Sequence, residues 1–272
     1  MPRVPPSAAE PAAGPAIISD LAGKRVLVTG ASSGIGSAMA LAFAASGAAV
    51  VVHYHSDKAG AQAMVDAILA RDGKAVALGA DLTQDAAAGL LVQAAVDALG
   101  GLDILVNNAG GPVALMPVAQ MTDVHFDAVF NLNARSVFAA CRAAIPHLRQ
   151  GGAGSTIINI TSLSARLGGS VGASLYAASK AFVGALTKNL SRELAPDGIR
   201  VNAISPGYMD TPLHDGISPP GLVAGWIASI PLGRAGVAQD CAGAALFLAS
   251  PSLSGFVTGQ VIEVNGGQFT GG

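Results

Sequence analysis

From residue 25 to the C-terminus, short apolar runs alternate with stretches of helical length. Val26-Leu27-Val28 stops at Thr29-Gly30, residues 34–46 read as a helix, and 49–53 are again apolar and β-branched. Asp57 is a natural N-cap for a helix over 57–71. The pattern continues with a strand at 75–80, a helix at 84–99, a strand at 102–106 and a long helix at 122–148. A strand at 156–160, a helix at 175–194, a strand at 200–204, a helix at 239–248 and a strand at 260–264 complete it. Strands that alternate with helices of this length read as βαβ units. Right-handed crossovers then build an α/β fold: a Rossmann-type, doubly wound parallel sheet of about seven strands with helices on both faces. In such sheets ligands bind beyond the carboxyl ends of the strands, where the strand order reverses.

Hydrophobic residues make up 51% of the 272-residue chain and charged residues 12%. That balance suits a sheet covered on both faces. Residues 1–18, rich in Pro and Ala, read as a disordered tail, and 19–272 as a single domain. The tail has no apolar core of the kind a secretory signal needs. The net charge of −2 comes with no basic cluster, which argues against a nucleic-acid partner. Residues 26–52 carry no charge, but Thr29-Gly30, Ser32-Ser33-Gly34 and Ser46-Gly47 punctuate them as strand–turn–helix–turn–strand, so no membrane partner is expected. Cys141 and Cys241 have no metal or redox spacing and read as buried thiols in a reducing, cytoplasmic setting. The five histidines show no ligand spacing, so no metal is expected.

Two clusters carry chemistry. Gly30, Ser32, Ser33, Gly34, Ile35 and Gly36 lie at the first strand–helix junction. Glycines there let the backbone approach a pyrophosphate, and the helix N-terminus offers free N–H groups. A plain strand–helix turn also uses glycine, so placement rather than composition makes this signal. Tyr176 and Lys180 stand four apart, on one face of a helix. An ammonium near a phenol lowers its pKa from about 10, so that it can exchange a proton with a carbonyl oxygen or an alcohol.

The chain resembles the short-chain dehydrogenase/reductase family over roughly residues 21–267. The resemblance rests on 29–36, Asp81-Leu82, Asn107-Asn108-Ala109-Gly110, Asn133, Ser162, Tyr176 with Lys180, Pro206-Gly207 and Val264-Asn265-Gly266-Gly267. Within the family the chain is most similar to 3-oxoacyl-carrier-protein reductases and related ketoreductases. The resemblance implies a nicotinamide-dependent catalytic domain with Asn133, Ser162, Tyr176 and Lys180 as its catalytic set. Ser162 stands fourteen residues before Tyr176 and Ser164 twelve, on either side of the family spacing. Ser162 keeps the family place after Ile158-Asn159-Ile160, and an insertion in the glycine-rich loop at 168–172 accounts for the difference. Asn131 competes with Asn133, which alignment through Phe126-Asp127 and Val137-Phe138 favours. The family uses this asparagine to hold a water that links the lysine to solvent.

The resemblance further assigns the cofactor to Asp81 and Leu82 (adenine), to Asn108, Ala109 and Gly110, and to Pro206, Gly207, Met209 and Thr211 (nicotinamide). Specificity turns on Tyr54, His55 and Ser56. A carboxylate at Tyr54 would select the ribose 2′-hydroxyl of NAD. A tyrosine cannot repel a phosphate, and His55 and Ser56 can donate to one, so NADP(H) is favoured and NAD(H) stays possible. The expected activity is reduction of a ketone or 3-oxoacyl carbonyl. The alternatives are an NAD-dependent alcohol, sugar or polyol dehydrogenase and, from another class, a non-catalytic nucleotide-binding protein. Residues 206–231 read as a substrate lid with few charges, which suits a small-molecule carbonyl of low charge. Alanine-rich helix faces such as 134–144, together with the family's habit, imply a homotetramer.

Overall fold

The computed structural model describes residues 17–152, 154–214 and 220–271. The tail over 1–16 and the lid residues Asp215, Gly216 and Pro219 lie outside these. Seven strands form one parallel sheet: β1 (Arg25–Val28), β2 (Ala49–Tyr54), β3 (Lys74–Gly79), β4 (Ile104–Asn107), β5 (Thr156–Ile160), β6 (Arg200–Pro206) and β7 (Val261–Val264). Their order is β3-β2-β1-β4-β5-β6-β7, so the winding reverses between β1 and β4. This is the expected doubly wound sheet, and the reversal sets a crevice at its carboxyl edge.

Side-chain alternation assigns the two faces. Val26 and Val28 enter a core with α1 (Gly34–Ala45), α2 (Lys58–Leu69) and α9 (Ala238–Ala249). Leu27, between them, enters the opposite core with α3 (Ala87–Leu99), α5 (Ser136–Gly151) and α7 (Ser174–Glu193). Successive strand residues point to opposite faces, so one apolar run serves both layers. The shorter helices are α4 (Asp123–Phe130), α6 (Ser164–Leu167), α8 (Pro220–Ala228) and α10 (Pro251–Ser254).

Several boundaries differ from the sequence expectation, each for a side-chain reason. Ile18, expected in the tail, packs against the first core, and its N–H donates to Ser46 Oγ at 3.2 Å. Asp20 then accepts from Ser250 Oγ and Ser252 N, so the ordered fold begins before residue 19. Helix α3 starts at Ala87 rather than 84. The Asp81 carboxylate accepts from Thr83 N, Thr83 Oγ1 and Gln84 Nε2, and Ala86 takes a left-handed φ of 63°. The long helix at 122–148 is two helices joined by a π-helical turn, Asn131–Arg135. Thr122 caps its start by accepting from His125 N. Within the expected irregular lid, Pro212–His214 is a short 3₁₀ turn and Pro220–Ala228 is helical.

Strand β4 begins at Ile104, not 102, because Asp103 is committed to β1. Its carboxylate accepts from Arg25 N, Nε and Nη2, each at 2.8 Å. Burial pushes its pKa up, but the hydrogen bonds and charge of Arg25 outweigh burial and hold it below the usual 3.8. Asp103→Ala leaves the Arg25 N–H without its acceptor and should cost about 1–3 kcal/mol in a urea titration at pH 7. A depressed carboxylate contributes stability above its unfolded pKa and loses it as pH falls through the lower folded value. The difference between wild type and Asp103→Ala should therefore shrink below pH 3.8.

Candidate active site

At the carboxyl edge a cavity of about 640 Å³ opens across the reversal point. That lies in the range of about 300–1,000 Å³ usual for ligand sites. One wall is the turn between β1 and α1. Gly30 has φ of 63°, and a Cβ there would stand 2.9 Å from Ala109 Cα. Asn108 Nδ2 donates to Thr29 O and Gly30 O, both at 2.9 Å. Thr29 Oγ1 accepts from Asn108 N and Ala109 N. Gly34 and Ile35 open α1 at the cavity wall, and Ser33 makes no side-chain cap there. A bare helix N-terminus under a turn with no Cβ to spare fits a pyrophosphate. The residues therefore suit a dinucleotide.

The centre of the cavity carries the tyrosine. Tyr176 and Lys180 lie one turn apart on α7, which is anchored from below by a buried chain. Asn107 Nδ2 donates to Asn159 Oδ1, and Asn159 Nδ2 to Thr187 Oγ1, each at 2.9 Å. Ser162, just beyond β5, lines the cavity with Tyr176 and lowers its pKa, while Ser164 N donates to Ser162 Oγ at 3.1 Å. Lys180 is 2% exposed, donates from Nζ to Ile160 O at 2.9 Å and lies 5.9 Å from the Tyr176 ring centroid.

The electrostatics differ from the sequence expectation. Burial raises the Tyr176 pKa above 10, and Ser162 only partly offsets it. Burial lowers Lys180 from 10.5 to about 8. Desolvation penalises the charged form of each group, and in the protein alone it outweighs the attraction expected between ammonium and phenolate.

Asn133 is fully buried behind the β4 loop. Its Nδ2 donates to Gly111 O and Val129 O, and its Oδ1 accepts from Gly111 N, all at 2.9 Å. A Cβ at Gly110 would fall 2.5 Å from Asn133 Oδ1 and 2.9 Å from Lys180 Nζ, so this glycine lets the two side chains meet beneath the loop. From the π turn, Asn133 thus bonds back to Val129 on α4.

Most of the expected cofactor residues line the cavity: the turn residues Gly30, Ser32, Ser33, Gly34 and Ile35, then His55, Ser56, Asn108, Ala109 and Gly110. Lys180, Pro206, Gly207, Met209 and Thr211 line it as well. Four do not. Gly36 is pressed against Gly30 O, where any Cβ would clash. Tyr54 ends β2 with its ring over β3, since a Cβ at Gly79 would lie 2.7 Å from Tyr54 Cζ. Asp81 is held in its own turn and faces His55 at 3.8 Å. Leu82 is buried in the second core.

Other wall residues lie outside the expected cofactor set; among them Trp226 was expected to wall an apolar pocket and Asp57 to cap its helix. Asp57 lines the cavity while its carboxylate caps α2 through Gly60 N at 2.9 Å. Its place directly after Ser56 was the available signal. Gln268 lies beyond β7 and reaches back to Ser229 Oγ at 2.9 Å, a contact that no local pattern announces. Leu115, Leu163, Leu167, Leu213 and Trp226 give the far half an apolar surface.

Comparison with known proteins agrees with this geometry. A family model described as enoyl-(acyl carrier protein) reductase matches residues 30–268. The 3β-hydroxysteroid dehydrogenase 1 of Eggerthella lenta is 43% identical over 249 residues, 91% of this chain and 94% of that protein. A short-chain dehydrogenase from Burkholderia cenocepacia, solved in complex with NADP, superimposes with a TM-score of 0.85 at 38% identity, covering 92% of this chain and 99% of that one. An NADH-dependent reductase complexed with NAD superimposes with a TM-score of 0.82, also at 38% identity, covering 93% and 99%. The chain belongs to the short-chain dehydrogenase/reductase family and is an NAD(P)-dependent oxidoreductase. No helix of the described residues is long and apolar enough to cross a membrane.

The buried lysine has a measurable signature. Between pH 8 and 10.5 the unfolded chain holds a proton that folded Lys180 has shed. The unfolded state then binds more protons, so this group makes stability rise with pH across that window. In urea titrations at pH 8 and 9.5, Lys180→Met should lack this rise.

Proposed function

We propose that the protein reduces a ketone-type carbonyl, the class that includes 3-oxoacyl compounds, to a secondary alcohol with NADPH. The bound nicotinamide supplies the hydride. Tyr176 gives the proton to the carbonyl oxygen and takes it back in the reverse direction. The Ser162 hydroxyl holds that oxygen against Tyr176. Lys180 holds the cofactor ribose and favours the ionised tyrosine once the cofactor covers the site. Asn133 keeps the β4 loop in place over Lys180. The observation that carries this reading is Tyr176 at the wall of the cavity with Ser162, which lowers its pKa, and Lys180 one helical turn away, 5.9 Å from its ring. The apolar far half supports a substrate of low charge.

His55 and Ser56 at the cavity wall support NADP(H), since both can donate to a 2′-phosphate. A second reading, an NAD-dependent alcohol dehydrogenase, is supported by Asp57, a carboxylate at the same end of the cavity. The capping bond to Gly60 N favours the first, because it commits the Asp57 carboxylate to α2.

A homotetramer is proposed as well, supported by Phe126, Phe138 and Phe182, which are 45%, 45% and 41% exposed on α4, α5 and α7. Light scattering of the purified chain should give four times the 26.7 kDa chain mass, and a monomer would remove this proposal.

With a panel of ketones and 3-oxoacyl esters, nicotinamide absorbance should fall faster with NADPH than with NADH. Tyr176→Phe should lower turnover by about 10²–10⁴-fold while cofactor binding persists. Faster consumption of NADH, or NAD-linked alcohol oxidation alone, would favour the second reading. Unchanged turnover in Tyr176→Phe would remove the proton-transfer assignment.

A further inference from the structure

His53 is 1% exposed and has no part in the roles given above. Its ring nevertheless spans the two ends of the cofactor wall. Gly30 N donates to His53 Nδ1 at 3.0 Å, and His53 Nε2 lies 3.0 Å from Ala80 O. The main chain of the same residue accepts from Ala31 N at 2.7 Å. One residue of β2 thus holds two successive N–H groups of the glycine turn and ties them to the end of β3.

The chemistry of the two contacts defines the ring. A backbone N–H can only donate, so Nδ1 must carry a lone pair. A carbonyl can only accept, so Nε2 must carry the proton. Only the neutral, Nε2-protonated ring satisfies both, and an imidazolium would set two donors against each other at Gly30. Burial holds the His53 pKa below its usual 6.5, the Ala80 hydrogen bond raises it, and His55 lowers it further. The titratable groups facing this region are His55 just after β2 and Asp81 after β3, themselves 3.8 Å apart. The turn from β1 contributes none, since residues 29–33 carry no titratable side chain.

We propose that His53 is the positioning residue of the phosphate-cradling turn. Its neutral ring holds Gly30 in the left-handed conformation that aims the remaining turn and α1 amides at the cofactor, and protonation releases that turn. The inference rests on the nicotinamide-cofactor reading and is separate from the choice of substrate, because its readout is cofactor binding. Asparagine places an acceptor where Nδ1 sits, whereas glutamine places its amide near Nε2, and neither titrates. The two variants therefore separate the Gly30 contact from the Ala80 contact.

The experiment is titration of NADH, followed by its own fluorescence, against wild type, His53→Asn, His53→Gln and His53→Leu between pH 5 and 8. NADH lacks a 2′-phosphate that would titrate in this range. His53→Asn should bind within a few-fold of wild type at pH 7.5, while His53→Gln and His53→Leu should bind about tenfold or more weakly, because each leaves the half-buried Gly30 N–H without its acceptor. Wild-type affinity should fall toward pH 5 and that of His53→Asn should not. A glutamine or leucine variant within twofold of wild type would overturn the proposal, as would an acid loss of affinity that persists in His53→Asn. Nitrogen NMR of ¹⁵N-histidine wild type needs no variant to fold and no cofactor to bind. It should report the Nε2-protonated neutral ring at pH 7.5, and an Nδ1-protonated ring or an imidazolium would overturn the assignment.

Discussion

The site depends on how closely two backbone segments approach where the sheet reverses direction. The turn after β1 and the end of β4 touch at Gly30 and Ala109, with no space between them for a Cβ. Thr29 and Asn108 close that contact with reciprocal side-chain-to-backbone bonds. Because the crossovers diverge at this point, the crevice stays open above the contact instead of filling with a loop. The glycine turn, the α1 N-terminus and the β4 loop are then fixed relative to one another before any ligand binds.

The catalytic half is held by a different physics. Lys180 is a cation in a nearly dry place, and burial alone lowers its pKa to about 8. The fold tolerates it because Ile160 O accepts from Nζ and because Gly110 lets Asn133 approach from the other side. Tyr176 is pushed toward its neutral form by the same burial. Burial thus favours the neutral, proton-holding form of Tyr176, and a bound cofactor acts on a pair that desolvation has already shifted. The Asn107–Asn159–Thr187 chain keeps α7 at a fixed height over β4 and β5, so the geometry of this pair is rigid.

The far half of the cavity joins Leu115, Leu163 and Leu167 from the middle of the chain to elements that come last in it. Trp226 on α8 packs against Tyr208, ring centroids 5.5 Å apart, and Gln268 from beyond β7 ties α8 to the wall. Arg166 on α6 pairs with Glu263 at 2.9 Å and lies over the Phe269 ring, which draws the C-terminal segment across the same opening.

Local signals carried much of the fold. β5 was legible to the residue, and Asp57 capped its helix as expected, because apolar runs and caps act over a few positions. The start of α3 and the break between α4 and α5 were not legible. Asp81 bonds within its own turn to Thr83 and Gln84, and Asn133 reaches to Gly111 and Val129, and neither bond leaves a mark on the apolar periodicity. The tyrosine–lysine pair and the glycine turn were legible for the same local reason: four residues make one helical turn, and only glycine takes the required close approach.

By itself, then, the sequence determined the doubly wound class of fold and the places of the tyrosine–lysine pair and the glycine turn along it. Tertiary structure decided which side chains at the end of β2 face the cofactor. Tyr54 turns over β3, while His53 goes under the glycine turn and His55, Ser56 and Asp57 reach the cavity wall. Pleating dictates only that neighbours alternate. Which face of the sheet holds the crevice, and which neighbour closes over each side chain, are set by strands far apart in the chain, and no local pattern encodes them.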